Sequence, residues 1–165
     1  MEVANVHASC LILRSAGSAF GAPAECGVLL LGDSGVGKSD LALRLVSRGA
    51  QLVADDRTEL FVHANFLCAR PPKTLAGLIE VRGVGILKLP FENAAVVGLA
   101  VMLVARKLVP RMPSREDYDP PPGLSVKKKP PLIRLCAFDH SAPAKIAIAA
   151  AAFVNPLFRE ENKPN

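Results

Sequence analysis

Apolar and polar positions along this chain fall into short hydrophobic runs separated by turn-forming residues, with a helical period in only two places. Residues 5–13 ("NVHASCLIL") mix β-branched and aliphatic side chains and predict a first strand. The stretch 14–25 is small and glycine-rich, the pattern of an exposed loop, and 26–31 ("CGVLLL") is a continuous apolar run expected of a strand buried on both faces. From about Lys38 the period changes. Leu41 with Leu45, and Ala42 with Val46, share one face of a helix that Gly49 is placed to end.

Residues 50–56 ("AQLVADD") return to a strand, and 58–70 predict two strands around a tight turn at Ala64 and Asn65. The segment 78–89 ("LIEVRGVGILKL") reads as a strand pair or a bent strand, its glycines marking a bulge or a close backbone approach. Residues 94–108 supply a further central strand. Between Pro110 and Pro131 seven prolines and mixed charges predict a long irregular segment, either a functional loop or a disordered one. A strand at 132–138 and a helix at 142–154, with Pro143 near its start, complete the pattern before a polar tail at 155–165. Strands interleaved with helices at this length predict one α/β domain over residues 1–165.

Composition narrows the class. Half of the residues are hydrophobic, enough for a sizeable core and too many for wholesale disorder; with no Trp and one Tyr, aliphatic side chains must fill that core. The net charge of +5 is moderate, and its local excess at Lys127, Lys128 and Lys129 has no aromatic residues interleaved, so a solvated loop is expected rather than a nucleic-acid surface. Cys10, Cys26, Cys68 and Cys136 are scattered with no C-x-x-C pair, which fits reduced structural cysteines better than a metal site or a disulfide framework. The first ten residues lack the basic and apolar regions of a secretory leader, and the longest apolar stretch, 94–105, is too short for a bilayer. A cytoplasmic protein without a membrane partner is expected.

The strongest chemical signal is Gly32-Asp33-Ser34-Gly35-Val36-Gly37-Lys38-Ser39, which fits G-x-x-x-x-G-K-[ST] without departure. Glycines let successive backbone N–H groups turn inward onto phosphate oxygens, and the following helix aims its N-terminal N–H groups at the same anion. Lys38 is suited to bridging terminal phosphates, and the Ser39 hydroxyl to ligating magnesium. An apolar strand before the loop and an amphipathic helix after it supply the context this motif requires.

Two further groups accompany it. Asp55 and Asp56 close the next strand, at the end where an open α/β sheet presents its ligand crevice. Consecutive strand residues point opposite ways, so one acid at most faces the terminal phosphate; the other reaches magnesium through water or holds a neighbour such as Arg57. Spacing alone leaves open a catalytic base, a water-activating group and a plain strand-end turn. Glu80 and Arg82 are two apart, hence on one face if both lie in a strand, where they form either a metal and phosphate grip or an ordinary salt bridge.

Together "GDSGVGKSDLALRLVSRGAQLVADD" and "IEVRGVGILKL" closely resemble the catalytic domain of HPr kinase/phosphorylase, with "NVHASC" and "APAKI" similar to its flanking segments. The resemblance runs from about Asn5 to Ile146 and begins at the catalytic portion, as in a short form without the family's N-terminal domain. It implies a P-loop α/β fold related to phosphoenolpyruvate carboxykinase, a central mixed sheet with flanking helices, and assembly into a homo-oligomer, a hexamer in the family. It also implies transfer of phosphate from ATP, with Mg²⁺, to a serine of the HPr carrier protein of the phosphotransferase system. The reverse reaction uses inorganic phosphate and yields pyrophosphate.

By the same resemblance, residues Gly32 to Ser39 bind ATP, Lys38 is catalytic, and Ser39 and Glu80 serve the metal. Asp55 matches the proton-shuttling aspartate, His7 the catalytic histidine, and Glu80 to Leu89, with Arg82, the signature serving both reactions; Asp56 is grouped with the catalytic residues. The late catalytic arginine is assigned to Arg111. Asp40 stands where many members have Glu. Pro143-Ala144-Lys145 stands where the dephosphorylation segment reads Pro-Gly-Arg; Lys145 keeps the charge and loses the bidentate fork, which favours the kinase direction. Two other readings use the same phosphate loop: a P-loop kinase for a different acceptor, and a non-catalytic nucleotide-sensing module.

Overall fold

A computed structural model describes residues 1–14 and 25–154, so the expected loop at 15–24 and the tail at 155–165 lie outside the described residues. Nine strands form one hydrogen-bonded sheet that folds over itself at its longest member. That member is β9 (Ala95–Leu103). Its central and later residues pair in parallel with β3 (Glu25–Leu31) on one side, and its last four with β11 (Pro131–Leu135) on the other. The layer continues outward from β3 through antiparallel β2 (Ala8–Arg14) to β4 (Gln51–Ala54), and from β11 to a two-residue β10 (Glu116–Asp117). The first residues of β9 instead pair antiparallel with β6 (Phe66–Arg70), which leads to β5 (Thr58–His63) and β1 (Val3–Val6) in a second layer.

The period-two alternation of the strands sorts their side chains into two cores. Leu11, Leu13, Val28, Leu30, Leu99 and Val101 point to one face, where α1 (Lys38–Val46) and α2 (Ala142–Val154) cover them. Their neighbours Ala8, Cys10, Ile12, Leu29 and Leu31 point to the other face and pack against Leu60, Leu67 and Ala69 of the second layer. Strands covered on both sides explain why 26–31 reads as a continuous apolar run. Gly27 sits where the β3–β9 register shifts, and a Cβ there would run into the Val96 carbonyl. The backbones cross at the point where β9 changes layers.

Several expectations change. The strand expected over 5–13 is two strands meeting at His7, because β1 belongs to one layer and β2 to the other. Segment 78–89 is the strand pair of the two expected forms, β7 (Leu78–Val81) with β8 (Gly85–Lys88), but it stands as a hairpin outside the main sheet. The 110–131 segment carries β10 and is anchored by buried Leu124 and by the Tyr118 N–H donating to Pro130 O at 2.8 Å; apolar anchors order a proline-rich stretch that charge and proline content alone leave loose. The expected tight turn holds, with Ala64 and Asn65 at φ 48 and 68, the left-handed pair a two-residue hairpin needs. All four cysteines are free and buried. Among the described residues, no helix is long and apolar enough to cross a membrane.

Candidate active site

The phosphate loop joins β3 to α1 at the carboxyl end of the parallel β3–β9 pair, the end at which an open α/β sheet presents its ligand. Gly37 caps the helix at φ 101 without any side-chain cap, so the first-turn N–H groups of α1 stay available to an anion. A Cβ at Gly37 would lie 2.9 Å from both the Ala137 Cβ and the Phe138 ring, and its left-handed backbone resists a side chain in any case. Gly35, at φ 78, has open space on its Cβ side, so the loop's concave surface is clear. Lys38 is buried, and its Nζ donates to the carbonyls of Gly32 at 2.7 Å and Asp33 at 2.9 Å. Burial pulls its ammonium below the ordinary lysine value; Asp56, Asp33 and Asp55 oppose that shift by attraction.

The adjacent acids have separate surroundings. β4 ends at Ala54, one residue before them. Asp55 is buried, accepts from the Ser9 hydroxyl at 2.7 Å, and takes the Ser39 hydroxyl at 2.9 Å from each of its oxygens. Hydrogen bonds to an ionised acceptor are the stronger kind, about 1.5–3 kcal/mol each. Asp55 therefore fixes Ser39 from behind and is not among the residues lining the cleft. Asp56 turns the chain at φ 65, a left-handed conformation in which Asp is enriched, and its side chain emerges to solvent. Its Oδ1 lies 2.9 Å from His7 Nε2, and both residues line the cleft. The β1–β2 junction thus has a chemical consequence, since the break between layers projects His7 towards Asp56.

The cleft has a volume of about 370 Å³, within the range of small-molecule sites. The detached β7–β8 hairpin forms its opposite wall. Glu80 comes from β7 and Arg82 from the hairpin turn, so the two do not share a strand face as expected, yet both line the cleft. Among the described residues neither makes a side-chain hydrogen bond or ion pair, which leaves both heads open to a ligand. Asp40 lines the same space and also accepts from Arg44 Nε at 3.0 Å, one helical turn on.

Two expected residues are elsewhere. Arg111 is exposed in the loop after β9 and does not line the cleft. Lys145, in the first turn of α2, sits 3.6 Å from Asp139 Oδ2 and is likewise off the cleft wall. Conversely, Ser9, Arg44, Phe138 and Asp139 were not expected. Ser9 lies within "NVHASC" but reads as an ordinary strand serine, and Phe138 reads as the end of a strand. Their relevance comes from contacts that local pattern does not encode.

The arrangement fits a magnesium–nucleotide ligand. The loop offers unblocked N–H groups, Lys38 a cation, and Ser39 a hydroxyl oriented by a buried carboxylate. No group of three or more His, Cys, Asp or Glu side chains among the described residues forms a metal cage of its own. That suits Mg²⁺, which is commonly held by one or two protein oxygens together with substrate phosphates.

Comparison with known proteins identifies relatives. Residues 22–102 match the family described as HPr Serine kinase C-terminal domain. The HPr kinase/phosphorylase of Polaromonas naphthalenivorans (strain CJ2) is 42% identical over 102 residues, covering 57% of this chain and 32% of that relative. The HPr kinase/phosphorylase of Polaromonas sp. (strain JS666 / ATCC BAA-500) is 41% identical with the same coverage. The chain thus spans about a third of the length of these curated relatives. The solved structure of the Hpr(Ser) kinase/phosphatase from Coxiella burnetii matches with a TM-score of 0.69 and 27% identity, covering 88% of each chain.

Proposed function

We propose that the chain is a member of the family of HPr serine kinase C-terminal domains, which its residues 22–102 match, and that it transfers the terminal phosphate of ATP to a serine on an HPr-type carrier protein. The observation that carries this reading is the sorting of the adjacent acids. Asp55 is bound behind the phosphate loop, and Asp56 faces the cleft beside His7 at 2.9 Å. A nucleotide-binding module needs only the first arrangement; a carboxylate free to take an acceptor's proton adds the second.

In this reading the loop N–H groups and Lys38 hold the phosphates, and Ser39 and Glu80 present oxygens to Mg²⁺. When bound, that ion offsets negative charge on the phosphates. The acceptor serine enters on the Asp56 side. Its Oγ forms the new bond to phosphorus as the bond to the ADP oxygen breaks, and its proton passes to the Asp56 carboxylate. His7 Nε2 orients that carboxylate through Oδ1. The proton-transfer role expected of Asp55 therefore passes to Asp56. Arg82, exposed in the hairpin turn, is placed to meet the transferring phosphate as a bidentate donor.

We assign the kinase direction as primary. Lys145 is engaged by Asp139 and stands off the cleft, so the segment tied to dephosphorylation adds no cation to the site. Incubation with Mg-ATP and an HPr-type carrier tests the reading. Mass spectrometry should find phosphoserine on the carrier, and subsequent addition of inorganic phosphate should remove it slowly with release of pyrophosphate. ATP turnover that is indifferent to the carrier and leaves it unlabelled would overturn the proposal.

A further inference from the structure

Phe138 stands out among the residues lining the cleft. Among the described residues it is the one phenyl ring there, and it is 63% exposed. A single exposed apolar side chain carries little information by itself. What distinguishes this one is how firmly its neighbours are held while the ring is left open.

Arg44 of α1 donates to the carbonyl of Ala137 on one side of Phe138 and to that of Asp139, at 3.3 Å, on the other. The Asp139 carboxylate is in turn held by Arg106, its Nε donating to Oδ1 at 2.7 Å, and by Lys145 at 3.6 Å. Ala137 itself is fully buried. The backbone on either side of Phe138 is thus tied to α1, to the turn after β9 and to α2. The ring lies against Gly37, whose missing Cβ leaves the space: one added there would come within 2.9 Å of the ring. The ring therefore rests on the last glycine of the phosphate loop, with its remaining surface facing solvent.

The position suits a nucleobase. The 136–141 connection follows β11 and precedes α2, so it borders the start of α1, where phosphates sit. A nucleotide anchored there by its phosphates extends its ribose and base over the loop's rim. An aromatic face presented at that rim can take the base by stacking, which tolerates any base because every base has a π-face. The opposite wall carries His7, Asp56, Glu80 and Arg82, and the apolar residues that also line the cleft, Leu43 and Val81, have no aromatic face to offer.

We propose that Phe138 is the stacking platform for the nucleotide base, and that the Arg44–Asp139–Arg106 cluster positions it. This rests on the nucleotide-binding reading of the phosphate loop, and the following experiment separates the two. Binding of ATP, GTP and inorganic tripolyphosphate, each with Mg²⁺, is measured on the 165-residue chain and on Phe138→Ala and Phe138→Trp. Phe138→Ala should weaken ATP and GTP alike by about tenfold or more, the scale of one base–aromatic stack. Its affinity for tripolyphosphate should stay unchanged, which also shows that the variant is folded. Phe138→Trp should retain or improve nucleotide binding.

Parallel weakening of all three ligands would mean that Phe138 only supports the loop. Unchanged ATP affinity in Phe138→Ala would mean that the base lies elsewhere. Either outcome overturns the platform while leaving the phosphate site intact. Failure of the unaltered chain to bind both ATP and tripolyphosphate would instead overturn the nucleotide reading, and the platform with it.

Discussion

The rear and the front of the cleft are built on opposite principles. At the rear, short hydrogen bonds join Ser9, Asp55 and Ser39, Lys38 is held by the Gly32 and Asp33 carbonyls, and three of these four residues are buried. At the front, Asp56, Glu80 and Arg82 are exposed, and the only bond to any of their side chains among the described residues is that between His7 and Asp56. The rear is part of the core, so the hydrogen bonds behind the phosphate loop are in place before any ligand arrives. The front is held mainly by backbone, by a left-handed residue and by a hairpin outside the main sheet. On the proposed reading the front admits a protein serine, and an open side serves that at little cost in stability.

That contrast can be tested by mutation. The largest effect is expected for Lys38→Met, which removes the cation aimed into the phosphate loop. Phosphoryl transfer should fall by about 10²–10³-fold, the scale of losing one preorganised charge stabiliser. Because burial already disfavours the ammonium, the melting temperature should stay level or rise. A large loss of stability would mean that the rear needs the lysine structurally.

Next comes a pair of stability measurements by denaturant titration. Asp55→Ala leaves the Ser9 and Ser39 hydroxyls without their acceptor inside the fold, at an expected cost of about 1–3 kcal/mol. Asp56→Gly should leave stability unchanged or raise it by up to about 1 kcal/mol, because glycine takes φ 65 without a Cβ penalty. Equal losses from the two would erase the distinction between rear and front.

A smaller and more gradual effect is expected in alkali. Burial lifts the Cys10 thiol to about 12 and that of Cys26 to about 11, from an ordinary value near 9. Between those limits the folded chain keeps protons that the unfolded chain has released, so stability falls as pH rises above about 9. The slope is about 1.4 kcal/mol per pH unit for each thiol. Cys10 follows Ser9 on β2, so this titration loosens the rear wall. Cys10→Ala should flatten the fall between pH 9 and 11, measured by thermal melts across that range.

Much of this layout is legible in the sequence, and the illegible parts share a cause. The phosphate loop, α1 and the 58–70 hairpin follow from local rules: glycines at fixed spacing, a helical period, and a turn pair able to take positive φ. The division at His7 has no glycine or proline to mark it, because it arises from two layers claiming neighbouring residues. The adjacent acids look alike in sequence. What distinguishes them is remote in sequence: the hydroxyls of Ser9 and Ser39, 46 and 16 residues away from Asp55, and His7, 49 residues away from Asp56. Arg82 falls in a turn because Gly83 and Gly85 close the hairpin earlier than a continuous strand would allow. Phe138 ends an apolar run in the sequence, yet it is exposed, between two residues whose carbonyls Arg44 holds.

The central claim is that Asp56, and not Asp55, takes the acceptor's proton. The direct measurement is the rate of phosphoserine formation on an HPr-type carrier for Asp56→Asn, with ATP affinity measured on the same protein. The account predicts a loss of about 10²–10⁴-fold in transfer, the range for removing a general base, with ATP affinity and stability unchanged. Near-normal transfer by Asp56→Asn, alongside a folded, ATP-binding but inactive Asp55→Asn, would contradict it.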